Sequence, residues 1–135
     1  MSFLLDTNVA SEPTRLRPSG KVVAWLRATP SNDLFLSVIT LGEIRKGIEL
    51  SRTGAPHVTS RVEQWLTLVN LEYRTRVLEL DEDAADIWGR IMAAHPRVPI
   101  EDGQIAAIAI RHDMTVVTRN VRDIAKTGAR YLNPY

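Results

Sequence analysis

The sequence predicts an α/β fold built on a mostly parallel sheet. Short apolar runs that read as strands alternate with longer segments of helical periodicity, the pattern of successive βα units. Proline-bearing breaks at 13–18, 54–56 and 96–99 fall between these segments rather than inside them. At 135 residues, 44% of them hydrophobic, the chain suits one core, so residues 1–135 are expected to form a single domain.

The elements follow in order. Phe3-Leu4-Leu5 is a short apolar run closed by Asp6, and its brevity favours a strand. After the 13–18 loop, Ser19 caps a helix through Leu26, with Val22, Val23, Trp25 and Leu26 apolar. Leu34 to Val38 is a second strand. Thr40-Leu41-Gly42-Glu43 opens a helix through Ile44, Ile48 and Leu50, reaching Arg52 before Gly54-Ala55-Pro56 breaks it. A longer helix, His57 to Leu71, carries Val62, Trp65, Leu66 and Val69. Val77 to Leu80 is a third strand, and Asp81 caps the next helix. There Ala84, Ile87, Trp88, Ile91 and Met92 recur at the i, i+3, i+4 spacing. Pro99 suits the first turn of a helix through Ile105, Ala106, Ile108, Ala109 and Ile110, apolar nearly all round and therefore deeply buried. Thr115 to Thr118 is a β-branched fourth strand. A short helix near Asp123–Lys126 and a strand around Arg130–Leu132 close the sequence.

Composition excludes several classes. With no cysteine there is no disulfide framework, thiolate nucleophile or zinc–thiolate site. No apolar run approaches the roughly 18–20 residues that span a bilayer, and the start has no secretory-signal pattern. A cytoplasmic protein with no membrane association is the expectation. The 17 Lys plus Arg against 16 Asp plus Glu give +1, which is no footprint of a chain that coats nucleic acid. Basic residues gather at Arg45-Lys46, Arg74-Arg76 and Arg119-Arg122-Lys126. Solvated surface explains each, and for Arg74 and Arg76 that explanation is preferred.

Acidic and amide residues carry the chemistry. In parallel sheets the ligand site lies outside the carboxyl ends of the strands. Asp6 directly follows the first strand, and Asn120 and Asp123 follow the fourth. Each has a structural alternative. Asp6 can be the N-cap of a short helix over Val9-Ala10-Ser11. Thr40-x-x-Glu43 is a capping-box pattern. Asp102, with Glu101 beside it, sits in a first helical turn where the dipole favours carboxylates. Jointly they point elsewhere. Several carboxylates gathered at one sheet edge repel unless a cation neutralises them, and an oxygen-rich set suits Mg²⁺ or Mn²⁺.

Four ordered segments give the pattern a family. Leu4-Leu5-Asp6-Thr7-Asn8-Val9 resembles the opening of PIN domains, and Ser37-Val38-Ile39-Thr40-Leu41-Gly42-Glu43-Ile44 resembles their second acidic segment. Asp102-Gly103-Gln104-Ile105-Ala106-Ala107-Ile108-Ala109 is similar to the third, and Val117-Thr118-Arg119-Asn120-Val121-Arg122-Asp123 to the fourth. Leu132-Asn133-Pro134-Tyr135 is similar to the closing strand of VapC-type toxins within that family. The resemblance runs end to end. It implies a three-layer α/β/α sandwich and a metal-dependent ribonuclease, the toxin of a toxin–antitoxin pair. It assigns Asp6, Glu43 and Asp102 as catalytic metal ligands, with Asn120 or Asp123 as the fourth. Some relatives carry Asp where this chain has Asn120, and the neutral amide there argues for one ion rather than two.

The reaction so implied is hydrolysis of an RNA phosphodiester by an activated water, with Glu43 a candidate to accept the water's proton. Thr7, Asn8, Thr118 and Asn120 would orient the ligands, and Arg45 and Arg119 are candidates for phosphate positioning, against solvated surface for each. Expected partners are RNA, a cognate antitoxin whose tail occupies the acidic groove, and a second copy in a homodimer. The cofactor is Mg²⁺, with Mn²⁺ able to substitute. Two rivals stand against this. A receiver-type signalling domain would want paired early acids and a late Lys, which Thr118-Arg119-Asn120 does not supply. A non-catalytic module of the same fold, acting through a partner in DNA binding or regulation, draws its support from Asn120.

Overall fold

The computed structural model describes residues 1–135. Its strands β1 (Phe3–Leu5), β2 (Leu34–Ser37), β3 (Val77–Leu78), β4 (Thr115–Val117) and β5 (Arg130–Leu132) form one sheet. The order is β3-β2-β1-β4-β5, and every neighbouring pair is parallel. Seven α-helices accompany it: α1 (Thr7–Ala10), α2 (Gly20–Ala28), α3 (Val38–Ser51), α4 (Pro56–Glu72), α5 (Glu82–Ala94), α6 (Ile100–Arg111) and α7 (Val121–Lys126).

Successive strand residues point to opposite faces, and a sheet covered on both sides takes apolar residues at every position. Leu4 and Val116 accordingly lie in one core with Ala84, Ile91, the Ile105–Ala109 run and Ile124, from α5, α6 and α7. Leu5, Leu36 and Val117 lie in the other with Val9, Val22 and Val69, from α1, α2 and α4. Two helical layers thus sandwich the sheet, the three-layer arrangement expected. Trp25 meets Phe3 edge to face at 5.1 Å and Trp65 joins the same core, so both tryptophans serve packing. No helix is long and apolar enough to cross a membrane.

Strand order decides where a site can form. The chain runs outward from β1 through β2 to β3, then returns to pair β4 on the other side of β1. Such a switch point opens a crevice at the carboxyl ends of the two strands. Asp6 and Thr118 are the residues that leave β1 and β4 there, and the Asp6 N–H donates to the Val117 carbonyl at 2.9 Å.

The structure revises several boundaries. Helix α3 starts at Val38, because the Ser37 hydroxyl accepts from the Thr40 N–H at 3.2 Å and takes the N-cap. The capping box expected at Thr40-x-x-Glu43 is therefore not formed. Thr40 is already helical, and Glu43 stands in the second turn with its carboxylate free to reach elsewhere. Strand β2 ends one residue early for the same reason, β3 covers only Val77 and Leu78, and β4 stops at Val117. Pro99 is the N-cap of α6 rather than its first helical residue, and α2 extends to Ala28. Burial of α6 holds from Gly103 to Ala109, apart from half-buried Gln104, but Ile110 is exposed.

Candidate metal centre

Asp6 is both a cap and a buried site acid. It is only 4% exposed. The Thr7 N–H donates to its Oδ1 at 2.7 Å, which makes it the N-cap of α1. The Thr118 hydroxyl donates to its Oδ2 at 2.6 Å. Burial raises the Asp6 carboxyl above its ordinary value, and the Thr118 and Thr7 bonds offset this only in part. Each oxygen accepts one bond from a neutral donor, which leaves a lone pair on each for a cation.

Glu43 reaches α1 from α3. The Thr7 hydroxyl donates to Glu43 Oε1 at 2.6 Å, with the Thr40 hydroxyl 3.1 Å from that of Thr7. Partial burial raises its carboxyl; the Thr7 bond opposes this, and the negative charges of Asp6 and Glu101 add to it. Thr7 thus joins two acids 37 residues apart in sequence, its amide on Asp6 and its hydroxyl on Glu43.

Asp102 enters from the first turn of α6. Gly103 beside it is where α5 presses closest: a Cβ there would stand 2.7 Å from Met92 Sδ and 3.2 Å from Trp88 Cδ1. Close packing of α5 on α6 fixes the end of α6 that carries Asp102. Asn120 Nδ2 donates to Asp102 Oδ2 at 2.7 Å and to Asp123 Oδ2 at 2.8 Å. Burial and the charge of Asp6 push the Asp102 carboxyl up to about 6; Asn120 opposes the shift, and Asp123 and Glu43 add to it. Four carboxylates therefore share one electrostatic neighbourhood.

The donor set fits a hard divalent cation, being all oxygen and crowded with negative charge that is offset at its margin by Lys126, 3.8 Å from Asp123. As placed, no three acidic or imidazole side chains stand close enough to hold an ion. Each carboxylate is turned onto a neutral donor instead: Thr118, Thr7 or Asn120. The Asn120 amide presents its NH₂ to two carboxylates, so its carbonyl points away from them, and Asp123 is the acid brought toward Asp102.

The remaining residues divide. The Arg119 N–H donates to Asn8 Oδ1 at 3.3 Å, and the Asn120 N–H to Thr118 Oγ1 at 2.9 Å, so Asn8 and Thr118 both shape the turn after β4. The Arg119 guanidinium lies 4.2 Å over the Tyr135 ring. Arg45 is paired with Glu49 at 3.5 Å and Glu63 at 3.9 Å, two positions round the helix from Glu43. Sequence reasoning missed a buried anchor beside this turn. Glu12, 2% exposed, accepts from the Ser19 N–H at 2.9 Å and the Tyr135 hydroxyl at 2.9 Å, and pairs with Arg15 at 3.3 Å. Its one sequence signal is an acid just past the end of α1, two residues after Ala10 and followed by proline.

Known proteins share both the sequence and the fold. Over 98% of both chains, the sequence is 36% identical to Toxin FitB of Neisseria gonorrhoeae. It is 32% identical to VapC ribonuclease Y4jK of Sinorhizobium fredii, over 98% of this chain and 97% of that one. The crystal structure of FitAcB from Neisseria gonorrhoeae superposes with a TM-score of 0.89 at 34% identity, covering 98% and 97% of the two chains. The structure of FitAB bound to an IR36 DNA fragment superposes at 0.84 and 36% identity, covering 98% and 94%. The PIN domain family model matches residues 3–129. With four ordered acidic segments converging at the switch point of a parallel sheet, the chain belongs to the PIN domain family.

Proposed function

We propose that this chain is a divalent-metal-dependent endoribonuclease, acting in the cytoplasm as the toxin of a toxin–antitoxin pair. The observation that carries the reading is the gathering of Asp6, Glu43 and Asp102 at the β1/β4 switch point, each held by a neutral donor. Mutual repulsion among them is the electrostatic demand that a cation answers.

Asp6 and Asp102 would hold the ion, with Glu43 beside them and Asp123 as the fourth acid. Held by them, Mg²⁺, or Mn²⁺ in its place, would supply a Lewis acid able to polarise a phosphate oxygen and to lower the pKa of a water. The protein supplies the rest. Thr118 and Thr7 fix the two oxygens of Asp6, so this ligand enters the reaction already oriented. Glu43 has one oxygen on Thr7 and the other free to accept the proton of the attacking water. Asn120 orients Asp102 and, by donating to both carboxylates, holds Asp123 facing it against their repulsion. Arg119, steadied on the Tyr135 ring, is the better candidate for a phosphate, because Arg45 is engaged by Glu49 and Glu63. No step consumes the 2′-hydroxyl.

Relatives named as a toxin and a VapC ribonuclease, and FitAB on DNA, support the partner side of the reading. The partners proposed are a cognate antitoxin whose tail covers the acidic groove and a second copy of the chain. Asn120 suggested a module without turnover. Its role as a donor between two acids favours the nuclease, since Asn120 then supports the proposed ligand Asp102 rather than standing in for an absent one. Purified protein with Mg²⁺ or Mn²⁺ is expected to cut RNA, and Asp6→Asn to abolish cutting while remaining folded. A wild type that cuts no RNA with either metal ends the enzyme reading.

A further inference from the structure

Beside the metal centre, between α3 and α4, lies a cavity of about 220 Å³. It shares Thr7 and Glu43 with the site described above. Building on the ribonuclease reading, we infer that this slot receives the base of a nucleotide flanking the cut and favours bases with an exocyclic amino group.

Three features of the lining support this occupant. First, Glu43, Gly47 and Ser51 follow one another at i, i+4 and i+8, so one face of α3 leads from the site into the slot. A Cβ built on Gly47 meets nothing within 4 Å. Glycine in mid-helix weakens the helix relative to alanine, yet here the only thing a methyl would narrow is the slot. Second, no lysine, arginine or histidine lines the cavity, while Glu43 does, and its walls include Ile44, Val58 and Val62. A phosphate is repelled from such a space. The uncharged, flat part of a nucleotide, tethered to the phosphate being cut, is suited to it.

Third, the polar lining offers acceptors rather than donors. The Ser11 hydroxyl gives its proton to the Thr7 carbonyl at 2.7 Å, and the Ser51 hydroxyl gives its own to the Ile48 carbonyl at 2.7 Å. Thr59 Oγ1, 2.5 Å from Ser51 Oγ, then donates to it. What Ser11 and Ser51 present to the cavity is lone pairs. An amino group of adenine, cytosine or guanine satisfies them. Both exocyclic groups of uracil are carbonyls, so in place of an amino group it sets acceptor against acceptor and keeps only its ring N3–H to donate; acceptors covered by the base and left unpaired are costly.

The test uses the purified chain, Mg²⁺ and a degenerate RNA oligonucleotide, with the cut ends sequenced. At one position flanking the cut, uracil is expected to be depleted roughly five-fold relative to amino-bearing bases, as one hydrogen bond commands. Gly47→Leu fills the slot and is expected to lose that preference, cutting amino-flanked sites no better than uracil-flanked ones, with a melting temperature no lower than wild type. Gly47→Ala, with its smaller protrusion and better helix propensity, is expected to narrow the preference in the same direction and covers the case of a misfolded leucine variant. A folded variant that keeps the wild-type base distribution overturns the inference, as does a wild type that favours uracil. So does a Gly47→Leu protein that keeps its base preference but loses a protein partner, which would give the slot to that partner. If the wild type cuts nothing and Asp6→Asn is indistinguishable from it, the ribonuclease reading falls, and this inference with it.

Discussion

Asp102→Asn is expected to stabilise the metal-free protein while destroying its site. Burial, together with the charges of Asp6, Asp123 and Glu43, pushes the Asp102 carboxyl from its ordinary 3.8 up to about 6. A gap of that size corresponds to about 3 kcal/mol by which the fold disfavours the ionised form at pH 8. Asp102 is half-buried, so solvent screening brings the expected gain to about 1–3 kcal/mol. The asparagine keeps its bond to Asn120, because its amide oxygen accepts from Nδ2 as the carboxylate does.

The pH dependence has a definite sign. A carboxyl raised in the folded state leaves stability intact below its unfolded value of 3.8 and removes it as pH rises through about 6. In chelator, wild type is therefore expected to lose stability relative to Asp102→Asn between pH 4 and pH 8, with most of the difference gone at pH 4. Urea unfolding of both proteins at the two pH values measures this. Added Mn²⁺ should reverse the order, since an ion at 100 times its Kd adds about 2.7 kcal/mol to the protein that holds it. A variant no more stable than wild type at pH 8 in chelator, or equally favoured at pH 4, refutes the electrostatic reasoning.

Two further substitutions probe the supports. Thr118→Val removes the hydroxyl on Asp6 and the acceptor of the Asn120 N–H in a fully buried position, and is expected to cost about 1–3 kcal/mol by urea unfolding at pH 7. Tyr135→Phe leaves the ring under Arg119 but removes the hydroxyl from Glu12 and Asn8, with an expected loss of about 1 kcal/mol. Burial opposes ionisation of Glu12, yet the Ser19 amide, the Tyr135 hydroxyl, Arg15 and Arg119 together hold its carboxyl below the ordinary value. Its stabilisation is present above pH 4.5 and disappears on acidification, so the deficit of Tyr135→Phe should shrink below pH 4.

Local chemistry made much of the fold legible. Ser19 and Asp81 cap the helices their side chains announce, and the helix expected from His57 to Leu71 forms one residue longer at each end, with Pro56 at its first position rather than in the break. The start of α3 was harder. Ser37 sits at the end of an apolar β run and Thr40 heads a plausible capping box, so two hydroxyl residues three positions apart compete for one cap. Sequence cannot weigh the winner, because Ser37 is placed by the pairing of β2 with β3. Asp6, Glu43 and Asp102 were readable as candidates from their places after strands and at helix starts. Their supports were less so. Thr118 meets Asp6 across 112 residues and Tyr135 meets Glu12 across 123, contacts that exist only once β1, β4 and β5 are side by side. Asn120 read as a missing acid; in the fold it is the donor that lets two acids face each other.

The central claim is that Asp6, Glu43 and Asp102 hold one divalent cation. Anomalous diffraction from a crystal of this protein soaked in Mn²⁺ tests it directly. The account predicts a peak within about 2–2.3 Å of oxygens from Asp6 and Asp102, with Glu43 or its water in the same sphere. A protein that binds Mn²⁺ elsewhere, with these three carboxylates still turned onto Thr118, Thr7 and Asn120, would contradict it.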